Sequence, residues 1–350
     1  MRKMHKTKMA VWMLALMILF SGCSFEGAEP PGSSGGTAGG GGGAAGTKID
    51  KSRGEIKIGF SIKNQNAPYF VAMMNAAKNY AKELGVQLVT ADAQGNMTKQ
   101  ISDVNDMLVQ GIDLLLLDPA DPDGLVPATK SASAKGVPVV IVDSTISEKA
   151  DYVTTVQSNN TENGVKVGEW VASQFGNKDI KAAVISGEQG NPAGLERRQG
   201  VLRGITEAQL RNRGSSKLEI VAQGWGNWAT EGGLSAMEDI LVAHPDINLL
   251  ITENDSMAIG ARKAIVDAGK ESQILIAAAA DGQKVALQLI KEGKYGATGL
   301  NDPVLIVKTG LDAALKILEE GAAFPKTSYT PAVAITKKNV DEYYKPDAEF

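Results

Sequence analysis

Short apolar segments rich in β-branched residues alternate with segments of helical periodicity from about residue 55 to residue 338 of this 350-residue chain. Residues 137–145, VPVVIVDST, are typical, because an apolar run ends there abruptly in a carboxylate and two hydroxyls. An apolar run this short, without alternation, suits a parallel strand that is covered on both faces. Since parallel strands are joined by crossover connections, the alternation predicts α/β structure built on parallel sheets.

The alternation of strand and helix runs through the chain twice. The first run starts with the strand EIKIGFS at residue 55, and the same pattern restarts with a helix near residue 164. In the predicted helix 68–84, Pro68 suits the first turn and the apolar residues recur at helical spacing. Because two such runs exceed one sheet of ordinary size, we predict two doubly wound, Rossmann-like lobes with a ligand cleft between them.

The first 22 residues have the proportions of a secretory signal. The basic stretch MRKMHKTK precedes a short apolar run at 10–20, and the following LFSGC resembles the lipobox of bacterial lipoproteins, in which the cysteine becomes diacylated. We predict a lipoprotein signal at 1–22 and lipid attachment at Cys23. An ordinary secretory signal or a membrane anchor is the alternative. Cys23 is the only cysteine, which excludes a disulfide within one molecule.

Residues 23–54 comprise the predicted lipidated cysteine and a Gly-rich tether. The whole chain has 36 basic and 40 acidic residues and a formal charge of −4. The signal has four basic residues and no acidic ones. Its removal leaves 32 basic and 40 acidic residues, a formal charge of −8. Such a surface repels phosphate backbones, so we expect no nucleic-acid partner.

Ligands of open parallel sheets bind beyond the carboxyl ends of the strands. Carboxylates and amides there can bind hydroxyls, an arginine donates in a fixed plane, and aromatic faces cover the apolar face of a ring, so that a small polyhydroxylated ligand fits. Each residue alone also fits a turn, a helix core or a surface ion pair. The candidates that follow predicted strands are Lys63, Asn66, Tyr69, Phe70, Asp143, Ser144, Arg197, Trp228, Asn254, Asp281 and Asn301.

Several blocks of the sequence, in their order, resemble the ribose-type periplasmic sugar-binding proteins of bacterial ABC importers. They are NAPYFVAM, LLLLDPADPDGL, VPVVIVDS, ERRQG, AHPDINLLITENDSMAIGA and AADG, and the resemblance covers about residues 55–338. It implies two lobes joined by a three-strand hinge, which close on a sugar between them. The lobe limits that we predict are 55–158 plus 302–332, and 159–301 plus 333–350.

The resemblance also implies roles for the candidate residues. The aromatic clamp of the family falls on Tyr69 and Phe70, and its third aromatic residue falls on Trp228. The hydroxyl-binding polar set falls on Asp143, Arg197, Asn254, Asp281 and Asn301.

This sequence departs from the ribose binders at three of the family's positions. Ser144 stands where they have an arginine, Ala67 replaces an asparagine and Asn301 replaces a glutamine, which argues against ribose itself. Binders of the signal autoinducer-2 also have a lysine at the place of Lys63, but they lack a residue like Arg197. We therefore predict a sugar or polyol as the ligand, with autoinducer-2 as the alternative.

The predicted function is that of an extracytoplasmic substrate-binding subunit, anchored by lipid to the bacterial cell membrane. It would deliver its ligand to an ABC permease with separate ATPase subunits, because the sequence has no Walker A motif. We expect a monomer without cofactor or bound metal. Residues 118–124, DPADPDG, have Ala120 where a calcium loop requires a ligand.

Two other classes of protein fit the sequence less well. A sugar-modifying enzyme is less favoured, because His244 is the only histidine after the predicted signal, although Asp143 and Asp281 could form a carboxylate pair. Effector domains of lac-repressor-like regulators share this lobe architecture. A regulator of that kind would begin with a basic helix-turn-helix rather than with a signal and a tether.

Overall fold

Two six-stranded sheets form the framework of residues 48–350, the part of the chain that this computed structural model describes. The predicted signal, Cys23 and most of the tether lie outside the described residues. Among the helices of residues 48–350, none has the length and apolar character needed to cross a membrane.

The first lobe starts at a single 3-10 turn, Arg53–Glu55, and continues as strands and helices in alternation. Its elements are β1 Lys57–Ile62, α1 Pro68–Leu84, β2 Gln87–Asp92, α2 Met97–Val109, β3 Leu114–Leu117, α3 Val126–Ala134, β4 Val139–Val142 and β5 Thr154–Ser158.

The second lobe follows directly with the same alternation. Its elements are α4 Asn160–Phe175, β6 Ile180–Ser186, α5 Pro192–Arg213, β7 Leu218–Trp225, α6 Thr230–Ala243, β8 Leu249–Thr252, α7 Asp255–Asp267, β9 Leu275–Asp281, α8 Lys284–Lys291 and β10 Ala297–Leu300. The chain then returns to the first lobe with α9 Pro303–Glu320 and β11 Thr327–Thr330, and ends in the second with β12 Ala334–Thr336 and α10 Val340–Tyr343.

The strand order is β11-β5-β4-β3-β1-β2 in the first sheet and β12-β10-β9-β8-β6-β7 in the second. The prediction of two α/β lobes with parallel sheets is confirmed. One edge differs, because β12 pairs antiparallel with β10. This strand enters the second sheet directly from β11, without a crossover helix that would reverse its direction.

The central strands β3 and β4 show why their sequences do not alternate. All four residues of each strand are buried, since α1 and α9 cover one face of the sheet and α2 and α3 cover the other. Polar side chains are therefore excluded until the strand ends, which is where Asp143 follows β4.

Helices α4 and α5 pack closely through glycines. A Cβ at Gly164 or Gly168 would lie 2.6 Å or 2.2 Å from a backbone oxygen of α5, and one at Gly200 or Gly204 would lie 2.4 Å or 2.2 Å from a backbone oxygen of α4. A side chain at any of these positions would force the helices apart. This contact places the first turns of α5, with Arg197, against the start of α4.

The chain crosses between the two sheets three times, after Ser158, after Leu300 and after Thr330. The amide of the buried Asn163 in α4 contacts all three crossings. Its Nδ2 donates to Ser158 Oγ at 2.8 Å and to the Leu300 carbonyl at 2.6 Å, and its Oδ1 accepts from the Val333 N–H at 2.9 Å. One side chain therefore connects the three segments that join the lobes.

Candidate ligand-binding site

In the first lobe, polar side chains at the carboxyl ends of β1, β3 and β4 surround the ammonium group of Lys63. Its Nζ donates to Ser144 Oγ at 2.7 Å and to Asp143 Oδ2 at 3.3 Å, and lies 3.6 Å from Asp118 Oδ1. The same nitrogen lies 4.5 Å from the centroid of the Phe70 ring, within range of a cation–π contact. The carboxylates keep Lys63 protonated, because they raise its pKa and outweigh the opposing effect of burial.

Tyr69, in the first turn of α1, connects this group to the second lobe. Its hydroxyl lies 2.6 Å from Asp143 Oδ1 and 3.1 Å from Oδ1 of Asn301, which follows β10. Burial and the nearby Asp143 raise the pKa of Tyr69 well above its ordinary value, so the hydroxyl keeps its proton and can donate. One phenol thus joins candidate residues from both lobes.

Asp143 occupies a backbone conformation that aspartate seldom adopts. Its φ is +63°, in the left-handed region, directly after the extended residues of β4. The turn brings its carboxylate between Tyr69 and Lys63. Strained backbone of this kind is frequent at ligand sites.

In the second lobe, Arg197 and Asp281 lie together and are both buried. Their closest atoms, Arg197 Nη1 and Asp281 Oδ1, are 3.4 Å apart. Arg197 also donates from Nε to Asn160 Oδ1 at 2.9 Å and from Nη1 to the Glu253 carbonyl at 3.2 Å, while Asn301 Nδ2 donates to Asp281 Oδ1 at 2.9 Å. Burial raises the pKa of Asp281 to about 6, against the opposing effect of Arg197.

The indole of Trp228 lies over the backbone of Gly187, where an added Cβ would be 2.1 Å from the ring. Trp228 has a φ of +61°, and its ring centroid lies 5.8 Å from the guanidinium carbon of Arg197. Asn254 fixes this segment, since its Nδ2 donates to the Trp228 carbonyl at 3.2 Å and its Oδ1 caps α7 at the Met257 N–H. In this structure the Asn254 side chain therefore supports the segment that carries Trp228, because its amide is already bound to the backbone.

Asn66 is the candidate that the structure does not bring into these groups. It is exposed in the loop before α1, and no hydrogen bond of its side chain is present within residues 48–350. It was a candidate because it follows the first predicted strand. The loop, however, turns this residue towards solvent.

Asp118, which was not predicted as a site residue, follows β3 as Asp143 follows β4. It is fully buried, and neither carboxylate oxygen has a hydrogen-bond partner within the described residues. Burial raises the pKa of Asp118 to about 7, although Lys63 opposes this change. The available signal was the abrupt end of the apolar run LLLLD in a carboxylate, the same pattern that marks Asp143.

A second missed feature is an ion pair behind Arg197. Glu253 is 1% exposed and pairs with Arg198 Nη1, which also donates to Ser186 Oγ at 2.9 Å. The other carboxylate oxygen of Glu253 accepts from the Gly187 N–H at 2.8 Å. The pair therefore joins α5 to Gly187, the residue over which the indole of Trp228 lies.

Carboxylates, cationic donors and aromatic faces from both lobes thus meet at the carboxyl ends of the strands, which is an arrangement suited to a small ligand with several hydroxyl groups. Among residues 48–350, no group of three or more His, Cys, Asp or Glu side chains is placed to hold a metal ion.

Comparison with known proteins gives consistent matches. Residues 58–323 match a family model described as the periplasmic binding protein domain. A ribose import binding protein of Bacillus subtilis is 35% identical over 82% of this chain and 89% of its own length.

Two solved structures have the same fold. An ABC transporter periplasmic solute binding protein from Actinobacillus succinogenes with bound D-allose has a TM-score of 0.74 and 26% identity, and the match covers 83% of this chain and 100% of that one. A solute binding protein from Bacillus halodurans with bound myo-inositol also has a TM-score of 0.74 and 26% identity, with coverage of 86% and 100%.

Proposed function

This chain belongs to the periplasmic binding protein family, and we propose that it is the substrate-binding subunit of an ABC importer for a small sugar or polyol. The lobes are those of the sequence prediction, 55–158 plus 302–332 and 159–301 plus 333–350, and the membership of the strands in the two sheets supports these limits. The relatives are binding proteins, and membership of their family supports a location outside the cytoplasm and a role other than catalysis.

One observation carries the proposal, namely that Tyr69 of the first lobe contacts both Asp143 and, across the cleft, Asn301. A ligand bound here is reached by groups of both lobes at once, so its binding favours their closed arrangement. Asp143 and Asp281 then accept from ligand hydroxyls, Lys63 and Arg197 donate, and Phe70 and Trp228 cover the apolar faces.

The proposed ligand is a sugar or polyol other than ribose. Ser144 takes the place of an arginine of the ribose binders, and its hydroxyl is bound to Lys63. The exchange of an arginine for a serine leaves more room for a ligand in the first lobe and offers it different hydrogen-bond donors than the ribose binders have. The relative from Bacillus subtilis is a ribose import binding protein, and the two solved structures contain D-allose and myo-inositol, which supports the class of sugars and polyols over autoinducer-2.

A thermal-shift and calorimetry series with D-ribose, D-allose, D-galactose, myo-inositol, xylitol and autoinducer-2 tests the proposal. A ligand at 100 times its dissociation constant adds about 2.7 kcal/mol to the free energy of unfolding. We expect a sugar or polyol to stabilise the parent protein, and we expect Arg197→Met to abolish this stabilisation. Arg203→Met is the matched control, because Arg203 is an exposed residue of the same helix that pairs with Glu207. Stabilisation by autoinducer-2 alone would contradict the proposal.

A second experiment addresses catalysis. Asp143 and Asp281 both lie in the site, but each is already bound by donors of the protein. We expect the bound sugar to be recovered chemically unchanged after prolonged incubation with the protein. Conversion of the sugar by the purified protein, lost in Asp143→Asn, would identify an enzyme instead.

The membrane attachment that we propose is a diacyl group on Cys23. Two acyl chains give stable anchoring, at roughly 0.8 kcal/mol per buried CH₂ group. Cys23→Ser should release the protein into the soluble fraction of cells, and Ser34→Ala, in the Gly-rich tether, should leave it with the membranes. Membrane association of Cys23→Ser would mean that the apolar segment itself is the anchor. The ABC permease and its ATPase subunits are the proposed partners of a monomer.

A further inference from the structure

Residues 345–350, the tail segment, extend from the second lobe onto the first. The segment follows α10, where Tyr343 and Tyr344 pack on the core of the second lobe. Lys284, the first residue of α8, donates to the carbonyl of Ala348 and lies 3.4 Å from that of Pro346. These contacts fix the beginning of the segment to the second lobe.

The end of the tail segment contacts α1 of the first lobe. Asn75 Nδ2 donates to Glu349 Oε2 at 2.8 Å. The ring of Phe350 packs against the core of the first lobe and meets Tyr69 edge to face, with centroids 5.3 Å apart and an interplanar angle of 87°. Phe350 therefore touches the residue whose hydroxyl binds Asp143 in the ligand site.

The same region contains a cavity of about 380 Å³ between the lobes. The cavity is lined by α1, by α8, by the crossing at Leu300 and Asp302, and by the tail segment. Rotation of the lobes about this crossing changes the distance between Lys284 and Asn75, so the segment cannot keep both sets of contacts in every arrangement.

We propose that the tail segment is a clasp that joins α8 to α1, and that Phe350 is a positioning residue for Tyr69. The edge-to-face contact with Phe350 fixes the plane of the tyrosine ring, because aromatic pairs favour this geometry. The clasp therefore favours the lobe arrangement of this structure and directs the phenol at Asp143. The effect on ligand binding rests on the proposed function, whereas the effect on the lobes does not.

Distances between spin labels test the clasp without a ligand. In the full chain carrying Cys23→Ser, labels at V109C and V242C report on the two lobes, since Val109 and Val242 are 80% and 86% exposed. We expect Phe350→Ala and Lys284→Met to populate a second distance between the labels, which corresponds to another arrangement of the lobes. The ratio of molecules at this second distance to molecules at the distance seen in the parent should rise roughly threefold to tenfold. The matched control is Phe324→Ala, which removes another ring from the same core. Unchanged distances in Phe350→Ala, or the same change in the control, would overturn the clasp.

Calorimetry with D-allose and myo-inositol tests the positioning of Tyr69. Phe350→Ala should raise the Kd roughly threefold to tenfold. Phe350→Tyr keeps the ring and should restore the affinity, while Phe350→Leu keeps only the apolar contact and should not. Equal affinity in Phe350→Ala and the parent would overturn the positioning role. If neither compound binds the parent, the proposed ligand class fails, and the spin-label result still decides the clasp.

Discussion

Arg197 in the second lobe is held by Asn160 and by a backbone carbonyl in addition to Asp281 of the site, whereas the polar contacts of the Lys63 ammonium in the first lobe are all with carboxylates and a hydroxyl of the site. The guanidinium is bound by Asn160 and the Glu253 carbonyl, and the side chain of Glu253 is itself paired with Arg198. The ammonium of Lys63 is surrounded by Asp118, Asp143 and Ser144.

This difference indicates separate tasks for the two lobes. A cation fixed by its supporting residues presents its donors in one geometry and selects the orientation of the ligand. A cation among carboxylates can exchange partners when a ligand hydroxyl arrives. We infer that the second lobe sets the position of the ligand and that the first lobe adapts to its substituents.

The largest effect is expected from removing the support behind Arg197. Glu253→Ala leaves Arg198 and the Gly187 N–H without their partner, and loss of one member of a buried pair costs about 3 kcal/mol of unfolding free energy. Urea denaturation measures this loss. Glu207→Ala, in the exposed pair with Arg203, should cost less than about 0.5 kcal/mol. Equal losses would show that the pair of Glu253 and Arg198 does not give the second-lobe site its support.

Asp143→Asn tests the adaptable half. Asparagine tolerates the positive φ and still accepts from Tyr69, but the charge that faces Lys63 is lost. We expect the Kd of the ligand to rise roughly tenfold to a hundredfold, with a change of less than about 1 kcal/mol in the stability of the free protein. Asp106→Asn, at an exposed position, is the control for the charge. A variant that binds as tightly as the parent but unfolds far more easily would make Asp143 a structural residue.

Trp228→Ala should weaken binding by roughly thirtyfold, because a buried aromatic anchor contributes about 2 kcal/mol when it covers a ligand. Trp225→Ala is a matched control three residues away, since Trp225 is 42% exposed. Calorimetry should show a change of less than about twofold for this control. Similar Kd changes in the two variants would remove Trp228 from the site.

The smallest expected effect is a difference in pH dependence between the lobes. Burial raises the pKa of Asp118 to about 7, so between about pH 4 and pH 7 the native protein holds a proton that the unfolded chain has released. The contribution of this group to the free energy of unfolding is therefore fully present below about pH 4 and is lost as the pH rises to 7.

Asp118→Asn should remove that slope. Between pH 5 and pH 8 the parent should therefore lose about 2 to 3 kcal/mol of unfolding free energy more than the variant does. Asp281→Asn should also remove a slope of stability with pH, but this slope ends at a lower pH, because burial raises the pKa of Asp281 only to about 6. Urea denaturation at several pH values between 4 and 8 measures both. Identical pH dependence of the parent and Asp118→Asn would mean that Asp118 is ionised in the native protein.

The features that were predictable from the sequence are those that local patterns encode. Four consecutive buried residues make LLLL and VVIV recognisable as central strands, and the carboxylate after VVIV marked the ligand side of the sheet. The resemblance to a family supplied the roles expected of the candidate residues in both lobes. The roles of the individual site residues stay predictions.

Other features depend on long-range contacts that no local pattern reports. Arg198 follows Arg197 directly, yet only the fold shows that one faces Asp281 and the other Glu253. The contact of Phe350 with Tyr69 joins residues that are 281 positions apart in the sequence. Asn66 illustrates the opposite case, because proximity in sequence to Tyr69 did not bring its side chain into the site.

The amide of Asn163 has a mechanical consequence for ligand capture. Three chain segments that are fixed to one point can rotate together, but they resist sideways displacement of one lobe against the other. We therefore expect the relative motion of the lobes to be mainly a rotation about these segments. With sideways displacement restrained, closure brings the same groups of the two lobes opposite one another, and two ligands that differ in the orientation of one hydroxyl meet different partners.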